Sequence, residues 1–160
     1  MEAPRIDRIL VPVDFSEMTG AVIDNACFLA NKFEASLTLL HVVHVPPLAE
    51  ASTWLDPVVS PSVEQDIRVQ MEEGAKKQLE GMKEKCSNSG LRVDYAIKVG
   101  EPFDEIVRMA GELDSDLIVM GTHGRSGFSH LIIGSVAERV LRRAPCSVFC
   151  INPRVAGEEG

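Results

Sequence analysis

Apolar runs alternate with amphipathic stretches along the whole chain. Four of the runs, RILVPV, LTLLHVV, DLIVM and SVFCI, are almost continuously apolar, which is typical of parallel strands that are covered on both faces. The remaining run, LRVDYAIKV, alternates apolar residues with mostly polar ones. A strand with one polar face is expected at an edge of a sheet. The pattern therefore predicts five strands, and it places the third of them at a sheet edge.

The four stretches between the runs repeat apolar residues every three or four positions, which is the period of an α-helix. Ser16 is expected to cap the first helix, and Pro102 to lie in the first turn of the third. The last helix is expected to follow Ser135 and to stop before Pro145. The residues predicted to face the core are Val22, Ala26, Ala30 and Phe33 in the first helix, Val63, Ile67, Met71, Ala75, Leu79, Met82 and Cys86 in the second, Phe103, Ile106, Val107 and Ala110 in the third, and Val136, Val140 and Leu141 in the last.

The order of these elements, βαβαβαβαβ, predicts an α/β fold with a mostly parallel sheet and right-handed crossovers. The chain contains no internal repeat and no low-complexity tract, so we expect residues 1–160 to form a single domain. Residues 45–60, which include Trp54 and three prolines, are predicted to be a long irregular loop. Loops of this length are often lids or contact surfaces, and disorder is equally compatible with the sequence. The tail, residues 153–160, is predicted to be flexible.

The composition narrows the class of protein. The chain has 160 residues, 45% of them hydrophobic and 25% charged, as in ordinary soluble globular proteins. The formal net charge of −8 argues against nucleic acid as a partner, because binding a phosphate backbone requires an excess of Lys and Arg. The start, MEAPRIDRILVPVD, has acidic residues and no long apolar core, so neither a secretory signal nor a membrane span is expected there. We therefore expect a cytoplasmic protein without a membrane partner.

The four cysteines do not suggest a disulfide framework. Cys27 and Cys86 fall on apolar helix stripes, whereas Cys146 and Cys150 lie in a short apolar strand. The latter two are about 13 Å apart along an extended chain, which is too far to bridge. All four are predicted to be buried thiols.

The segment GTHGRSGFSHLIIGS, residues 121–135, contains four glycines directly after the fourth strand. Ser135 and Glu138 have the spacing of a capping box, so the last helix is expected to begin here, with Gly134 just before it. The free amides and dipole of a helix start favour a phosphate, and glycine allows that phosphate to approach the backbone. The segment is therefore predicted to be a phosphate-binding loop.

Asp14, at the end of the first strand, is expected to share a crevice with this loop. Ligands of open α/β sheets bind beyond the carboxyl ends of the strands, where the strand order reverses. Asp14 ends the first strand and Gly121 ends the fourth, so the two residues face one crevice if those strands are neighbours. A purely structural role for Asp14, near the start of the first helix, is the alternative.

Other polar residues of the chain have simpler interpretations. His41 and His44 differ by three positions along a strand and point to opposite faces, which disfavours a shared metal ion. His123 and His130 lie in or beside the glycine-rich segment and are expected to be solvated, although His123 is within reach of a phosphate. The segment is not a Walker A loop, since no Gly-Lys-Ser/Thr follows, and glycines in a loop are turn residues in about half of such cases.

The chain resembles the universal stress protein family over nearly its whole length. The motifs LVPVDFS, LLHVV, the long second helix and the spacing Gly121-x2-Gly124-x9-Gly134-Ser135 occur in family order, and the glycine spacing is similar to that of the ATP-binding branch. The resemblance implies a five-stranded parallel sheet of order 3-2-1-4-5 with helices on both faces, a Rossmann-like, adenine nucleotide alpha hydrolase-like fold. It also implies that the first and fourth strands are neighbours.

The same resemblance implies a site for ATP, with Mg²⁺ or Mn²⁺ carried by the triphosphate. Asp14 would bind the ribose, and the backbone of Val42, or of its neighbour Val43, would recognise adenine. The other implied contacts are Pro12 and Met120 with the adenine, Gly121 and Gly124 with the ribose and phosphates, Gly134 and Ser135 with the phosphates, and Arg125 with the outer phosphates.

Three functions compete at this stage: a nucleotide-dependent regulatory protein, a phosphoryl- or nucleotidyl-transfer enzyme, and an interaction scaffold that binds no nucleotide. Phosphoryl transfer needs carboxylates that hold metal ions, and residues 121–135 include no Asp or Glu. We therefore expect a regulatory ATP-binding protein of the stress response with at most slow hydrolysis and an unknown protein partner. The last strand is apolar yet expected at an edge, so a homodimer paired through residues 146–151 is predicted.

Overall fold

The computed structural model describes residues 5–45, 61–123 and 133–152. The strands are β1 (Arg8–Pro12), β2 (Ser36–Val43), β3 (Val93–Val99), β4 (Leu117–Gly121) and β5 (Ser147–Ile151). The helices are α1 (Thr19–Phe33), α2 (Pro61–Ser87), α3 (Pro102–Glu112) and α4 (Ser135–Arg143). The expected loop at 45–60 and the expected tail at 153–160 fall, apart from Val45, outside the described residues.

The five strands form one parallel sheet in the order β3-β2-β1-β4-β5. This confirms the order implied by the family resemblance. The third strand along the chain, with its polar face, lies at an edge as its alternation predicts. Because β1 pairs with both β2 and β4, the strand order reverses beside β1, and the carboxyl ends of β1 and β4 lie next to each other.

The sheet separates two layers of apolar side chains. On one face, residues of α1 and the second half of α2 pack on Ile9, Val11 and Leu39. On the other face, residues of α3 and α4 pack on Leu10, Leu40 and Ile118. Alternate residues of one strand therefore serve opposite layers, and the central strands are nearly all apolar because both of their faces are covered.

The predicted core stripes are correct in part. Phe33 and Leu141 are exposed, and so are Val63, Ile67 and Met71 in the first half of α2. The buried members of the α2 stripe, Ala75, Leu79 and Cys86, lie in its second half. At 1.5 Å per residue the helix is about 40 Å long, whereas β2 and β3 are each about 25 Å long. Helical periodicity identifies the apolar face and does not indicate how much of it the sheet can cover.

The prediction that Ser16 caps the first helix is wrong. Helix α1 begins at Thr19, and the residue before it is Met18, which makes no side-chain cap. Ser16 instead lies in the turn that follows β1, where its amide donates to Asp14 Oδ1 at 3.0 Å. Asp14 thus takes the role of the capping side chain for the turn, because an aspartate two residues ahead of an amide closes this type of turn well.

No helix in the described ranges has both the length and the apolar character that a membrane crossing requires.

Candidate functional site

A cavity of about 420 Å³ opens at the carboxyl ends of β1 and β4. This volume is within the usual range for small-molecule sites. Seven of the nine site residues expected from the sequence line the cavity, namely Pro12, Asp14, Val42, Met120, Gly121, Gly134 and Ser135. The other two, Gly124 and Arg125, lie outside the described residues, as does His130.

The turn after β1 forms the first wall of the cavity. Asp14 Oδ1 accepts the Ser16 amide at 3.0 Å and lies 3.5 Å from Thr19 Oγ1. A carboxylate offers about four acceptor positions, so Asp14 can bond to more than one donor at a time. Among the described residues, the Ser16 hydroxyl is a buried polar group with no hydrogen-bond partner, and Ser16 also lines the cavity. A polar ligand would satisfy a group that is otherwise costly to bury.

The backbone of this turn is held by an aromatic contact. Phe15 has a φ of 59°, in the left-handed region that side chains other than glycine rarely adopt. Its ring stacks on the buried His41 ring with centroids 4.3 Å apart. His41 Nδ1 lies 2.8 Å from the Val13 carbonyl, and because a carbonyl only accepts, Nδ1 carries the proton. The stack and this hydrogen bond hold Phe15, and with it the neighbouring Asp14, in place.

The end of β2 provides a second wall. The register between β1 and β2 stops at Pro12 and Leu40, and the Val13 amide donates to the Leu40 carbonyl at 2.8 Å. Backbone groups alternate along a strand, so the amide and carbonyl of Val42, two residues on, point to the same side as those of Leu40, beyond the end of β1. Val43 is different, because its carbonyl accepts the Gly100 amide at 3.0 Å. Of the two valines considered from the sequence, Val42 is the one whose backbone faces the cavity side.

The third wall is the start of α4. The helix begins at Ser135 as predicted, but the capping box is wrong: the capping residue is Gly134, without a side-chain cap, and the Glu138 carboxylate pairs with Arg142 at 3.0 Å. The reason is register, since Ser135 is already the first helical residue. The amides of the first helical residues have no acceptor within the helix, and residues 135–137 line the cavity.

Thr122 joins this helix start to the strands. Its carbonyl accepts the Gly134 amide at 2.7 Å, and its own amide donates to the Ile151 carbonyl at 3.0 Å. The Thr122 hydroxyl donates to the same carbonyl at 3.2 Å, so Oγ1 accepts from His123 Nδ1, which lies 2.9 Å away. The ends of β4 and β5 and the start of α4 are thereby connected through one residue.

The charges around the cavity are few. Among its described lining residues there is no Lys or Arg, and Asp14 is the one carboxylate. The described residues contain no group of three or more His, Cys, Asp or Glu that could hold a metal ion. His41 and His44, expected on opposite faces of a strand, bond to different carbonyls, those of Val13 and Gly100. Within the described lining, the groups that can bind an anion are the backbone amides at the start of α4, assisted by the helix dipole.

A second cavity, of about 460 Å³, lies at the opposite end of the sheet, against the starts of β1 and β2. It is lined by Arg5, Asp7, Arg8, Phe33, Glu34, Ser36 and Arg92. Arg5 is paired with Asp7 at 2.7 Å, and surface ion pairs of this kind contribute little to the stability of the fold. Ligands of open α/β sheets bind at the carboxyl ends of strands, so the first cavity is the candidate site.

Sequence reasoning missed several residues of the candidate site. Thr19, Thr122 and His41 line it, and Met71 reaches it from α2. Phe15 supports this lining by stacking on His41. Thr19 and Phe15 follow Asp14 closely in the motif DFSEMT, so the strand-end signal that identified Asp14 extends to them. The position of Met71 at the cavity could not be predicted from the sequence, because it depends on how α2 lies across the sheet.

Comparisons with known proteins agree with this fold. Residues 5–152 match the model of the universal stress protein family. Universal stress protein YxiE of Bacillus subtilis (strain 168) is 31% identical over 146 residues, which are 91% of this chain and 99% of that protein. Universal stress protein UspA from Lactobacillus plantarum has a TM-score of 0.77 and 29% identity over 92% of this chain and 98% of its own.

A third comparison concerns a structure with a nucleotide. A universal stress protein from Archaeoglobus fulgidus, solved in complex with dAMP, has a TM-score of 0.60 and 24% identity, and the match covers 91% of this chain and 97% of its own. At this identity the likeness shows a shared fold.

Proposed function

Because the chain belongs to the universal stress protein family, we propose that it is a regulatory ATP-binding protein whose nucleotide occupies the cavity at the ends of β1 and β4. The nucleotide would alter the surface that the protein offers to a partner, and hydrolysis would be slow at most. The Archaeoglobus fulgidus protein of the same fold was solved with dAMP, which agrees with an adenine nucleotide as the ligand class.

The cavity has an apolar part that suits a base. Pro12, Met120 and Ile106 contribute apolar surface to its lining, and the backbone of Val42 points beyond the end of β1. A flat heterocycle could pack on these side chains while the Val42 amide and carbonyl bond to its edge. Asp14, at the end of β1, is the natural acceptor for ribose hydroxyls, since a carboxylate forms strong charge-assisted hydrogen bonds.

The observation that carries the proposal is the start of α4 at the cavity wall. The amides of residues 135–137 lack acceptors within the helix and add to the positive end of its dipole. With no Lys or Arg among the described lining residues, these amides are the groups best suited to a phosphate chain. Arg125, outside the described residues, is proposed to reach the outer phosphates, and Gly121 and Gly124 to approach the ribose and phosphates.

Slow hydrolysis follows from the scarcity of carboxylates. Efficient phosphoryl transfer needs groups that hold the metal ion and position the attacking water. Asp14 is the one carboxylate in the described lining, and its Oδ1 already closes the turn after β1. A Mg²⁺ or Mn²⁺ ion would therefore be carried mainly by the triphosphate itself.

The substitution Ser135→Pro tests whether the Ser135 amide, at the start of α4, binds the phosphate chain. Proline is favoured at the first helical position, and Gly134, with φ −60° and ψ 153°, already has the extended backbone that precedes proline. The change removes the Ser135 N–H and hydroxyl while preserving the helix. We expect the affinity for Mg-ATP, measured by calorimetry, to fall by about 10–100-fold with an unchanged melting temperature of the free protein.

Ser135→Ala is the matched control, because it removes the hydroxyl and keeps the amide. It should weaken binding less than Ser135→Pro does. If Ser135→Pro and the wild type bind Mg-ATP with equal affinity, the Ser135 amide does not bind the phosphates, and this part of the proposal is wrong. If millimolar Mg-ATP does not raise the melting temperature of the wild type, the chain is a scaffold instead. Turnover of about 1 s⁻¹ or faster would make it an enzyme.

Three further expectations belong to this proposal: a single domain over residues 1–160, a cytoplasmic location and a homodimer paired through β5. The dimer has support from β5 itself, which is an edge strand with a 43% exposed Phe149. An apolar edge with unpaired backbone groups favours pairing with another chain.

A further inference from the structure

Two cysteines far apart in the sequence meet between α1 and α2. Cys27 and Cys86 are separated by 59 positions, and their Sγ atoms lie 3.0 Å apart. Both are free thiols. A disulfide bond is about 2.05 Å long, so bond formation requires the two sulfur atoms to approach by about 1 Å.

The two thiols differ in accessibility. Cys86 is 2% exposed and packs in the core layer under α1 and α2, whereas Cys27 is half-buried at its border. The charged groups beside the pair are Asp24 on α1 and Lys85 on α2, which are 3.7 Å apart. Burial, followed by the contact with Cys86, raises the pKa of Cys27 to about 12. Because Cys27 is the more accessible thiol, an oxidant reaches it first. The reaction is slow at neutral pH because the raised pKa leaves little thiolate.

We propose that Cys27 and Cys86 are a reversible disulfide-forming pair, which a peroxide or a small-molecule disulfide oxidises to a covalent link between α1 and α2.

The chemistry balances with either oxidant. With hydrogen peroxide, the Cys27 sulfur bonds to one peroxide oxygen, the O–O bond breaks and one water leaves. Attack by the Cys86 sulfur on the resulting sulfenic acid forms the S–S bond and releases a second water. With oxidised glutathione, Cys27 first forms a mixed disulfide and releases one glutathione thiol. Cys86 then displaces the second glutathione. In both cases the two cysteines lose two electrons and two protons.

The link would stabilise the folded chain, because it closes a long loop in the unfolded state. For a loop of this length in a chain of this size, we expect the melting temperature to rise by roughly 10 °C. A thiol reductant would reverse the rise. The bond joins the second half of α2 to α1, the helix that follows the Asp14 turn, so both helices would be held against the sheet.

Peptide mapping under non-reducing conditions tests the pair directly. The reduced full chain is treated with hydrogen peroxide or with oxidised glutathione, unreacted thiols are alkylated, and the digest is analysed by mass spectrometry. We expect a peptide in which Cys27 is linked to Cys86, a loss of two of the four free thiols, and the higher melting temperature. A digest in which neither oxidant produces that linked peptide would overturn the proposal.

Cysteine variants separate this pair from the others. A Cys146→Ser/Cys150→Ser variant should retain the linked peptide and the rise in melting temperature. Cys27→Ser and Cys86→Ser should each abolish both, and Cys27→Ser, at a half-buried position, leaves the core largely intact. If Cys27→Ser still shows an oxidant-dependent rise in melting temperature, the stabilisation does not come from this bond and the proposal fails.

Discussion

At the scale of single residues, several side chains around the cavity have structural roles apart from any ligand. A Cβ added to Gly134 would lie 3.1 Å from the Thr122 carbonyl, so the fold itself favours glycine there. Asp14 closes the turn after β1 through the Ser16 amide. The presence of Gly134 and Asp14 at these positions is therefore explained by the fold alone and does not by itself indicate a binding site. The amides at the start of α4 are more informative, because they lack acceptors within the helix and line the cavity.

Deprotonation of Cys27 is expected to lower the stability of the reduced protein at alkaline pH. Burial is the largest cause that raises its pKa from 9.0 to about 12, so the folded state holds this proton more tightly than the unfolded state does. The resulting stabilisation is fully present below about pH 9 and is lost as the pH rises towards 12. Urea denaturation of the reduced protein should show a larger fall in unfolding free energy between about pH 8 and pH 10 for the wild type than for Cys27→Ala. An equal fall in the two proteins would contradict this assignment.

At the scale of elements, α2 is divided into an outer and an inner half. Its first half exposes Val63, Ile67 and Met71, whereas its second half buries Leu79 and Cys86. Two glycines, Gly74 and Gly81, lie inside this helix, where glycine is unfavourable because it loses the most backbone freedom on folding. The packing of the second half therefore compensates for a weak intrinsic helix propensity.

Replacing Gly81 with alanine should stabilise the protein. The position is exposed on α2, and nothing lies within 4 Å of an added Cβ. We expect a gain of about 0.5–1 kcal/mol in the free energy of unfolding, a rise of about 2–4 °C in melting temperature. Gly121→Ala is the contrasting variant, since its Cβ would lie 3.3 Å from the His123 carbonyl. A Gly81→Ala protein that is no more stable than the wild type would show that this turn of α2 is not helical in solution.

At the scale of the whole molecule, the candidate site and the edge strand β5 are physically connected. Thr122 bonds to Ile151 at the end of β5 and to Gly134 before α4. A partner that pairs along β5 would therefore contact the strand whose last residue, Ile151, bonds to Thr122 at the cavity. This continuity offers a structural route by which the proposed dimer and the proposed nucleotide could influence each other.

The substitution Phe149→Glu tests the proposed dimer. Phe149 is 43% exposed on the edge strand, and a charge buried there would oppose pairing. Phe28→Glu on α1 is the matched control, since Phe28 is 59% exposed and is not a residue of the edge strand. Light scattering should find dimers of the wild type and of Phe28→Glu, with the dissociation constant of Phe149→Glu at least about tenfold higher. A dilute wild-type protein that is monomeric would count against pairing through β5.

Much of this fold could be predicted from the sequence. The near-continuous runs located β1, β2, β4 and β5, the alternation from Val93 to Val99 identified an edge strand, and the start of α4 at Ser135 was located correctly. The strand order came from the family resemblance, because local pattern does not determine which strands pair. The errors at Ser16, Phe33 and the first half of α2 share one cause: capping and burial depend on neighbours that the local sequence does not contain.

By itself, the sequence determined the succession of strands and helices, the expected positions of Asp14 and the glycines at strand and helix ends, and the net negative charge, because periodicity and composition can be read from the chain without its fold. The tertiary structure decided that Val42 rather than Val43 faces the cavity side, that Ser16 has a buried hydroxyl beside Asp14, and that Cys27 meets Cys86. Each of these depends on which backbone or side-chain groups are brought together across the sheet, and such distances exist only once the chain has folded.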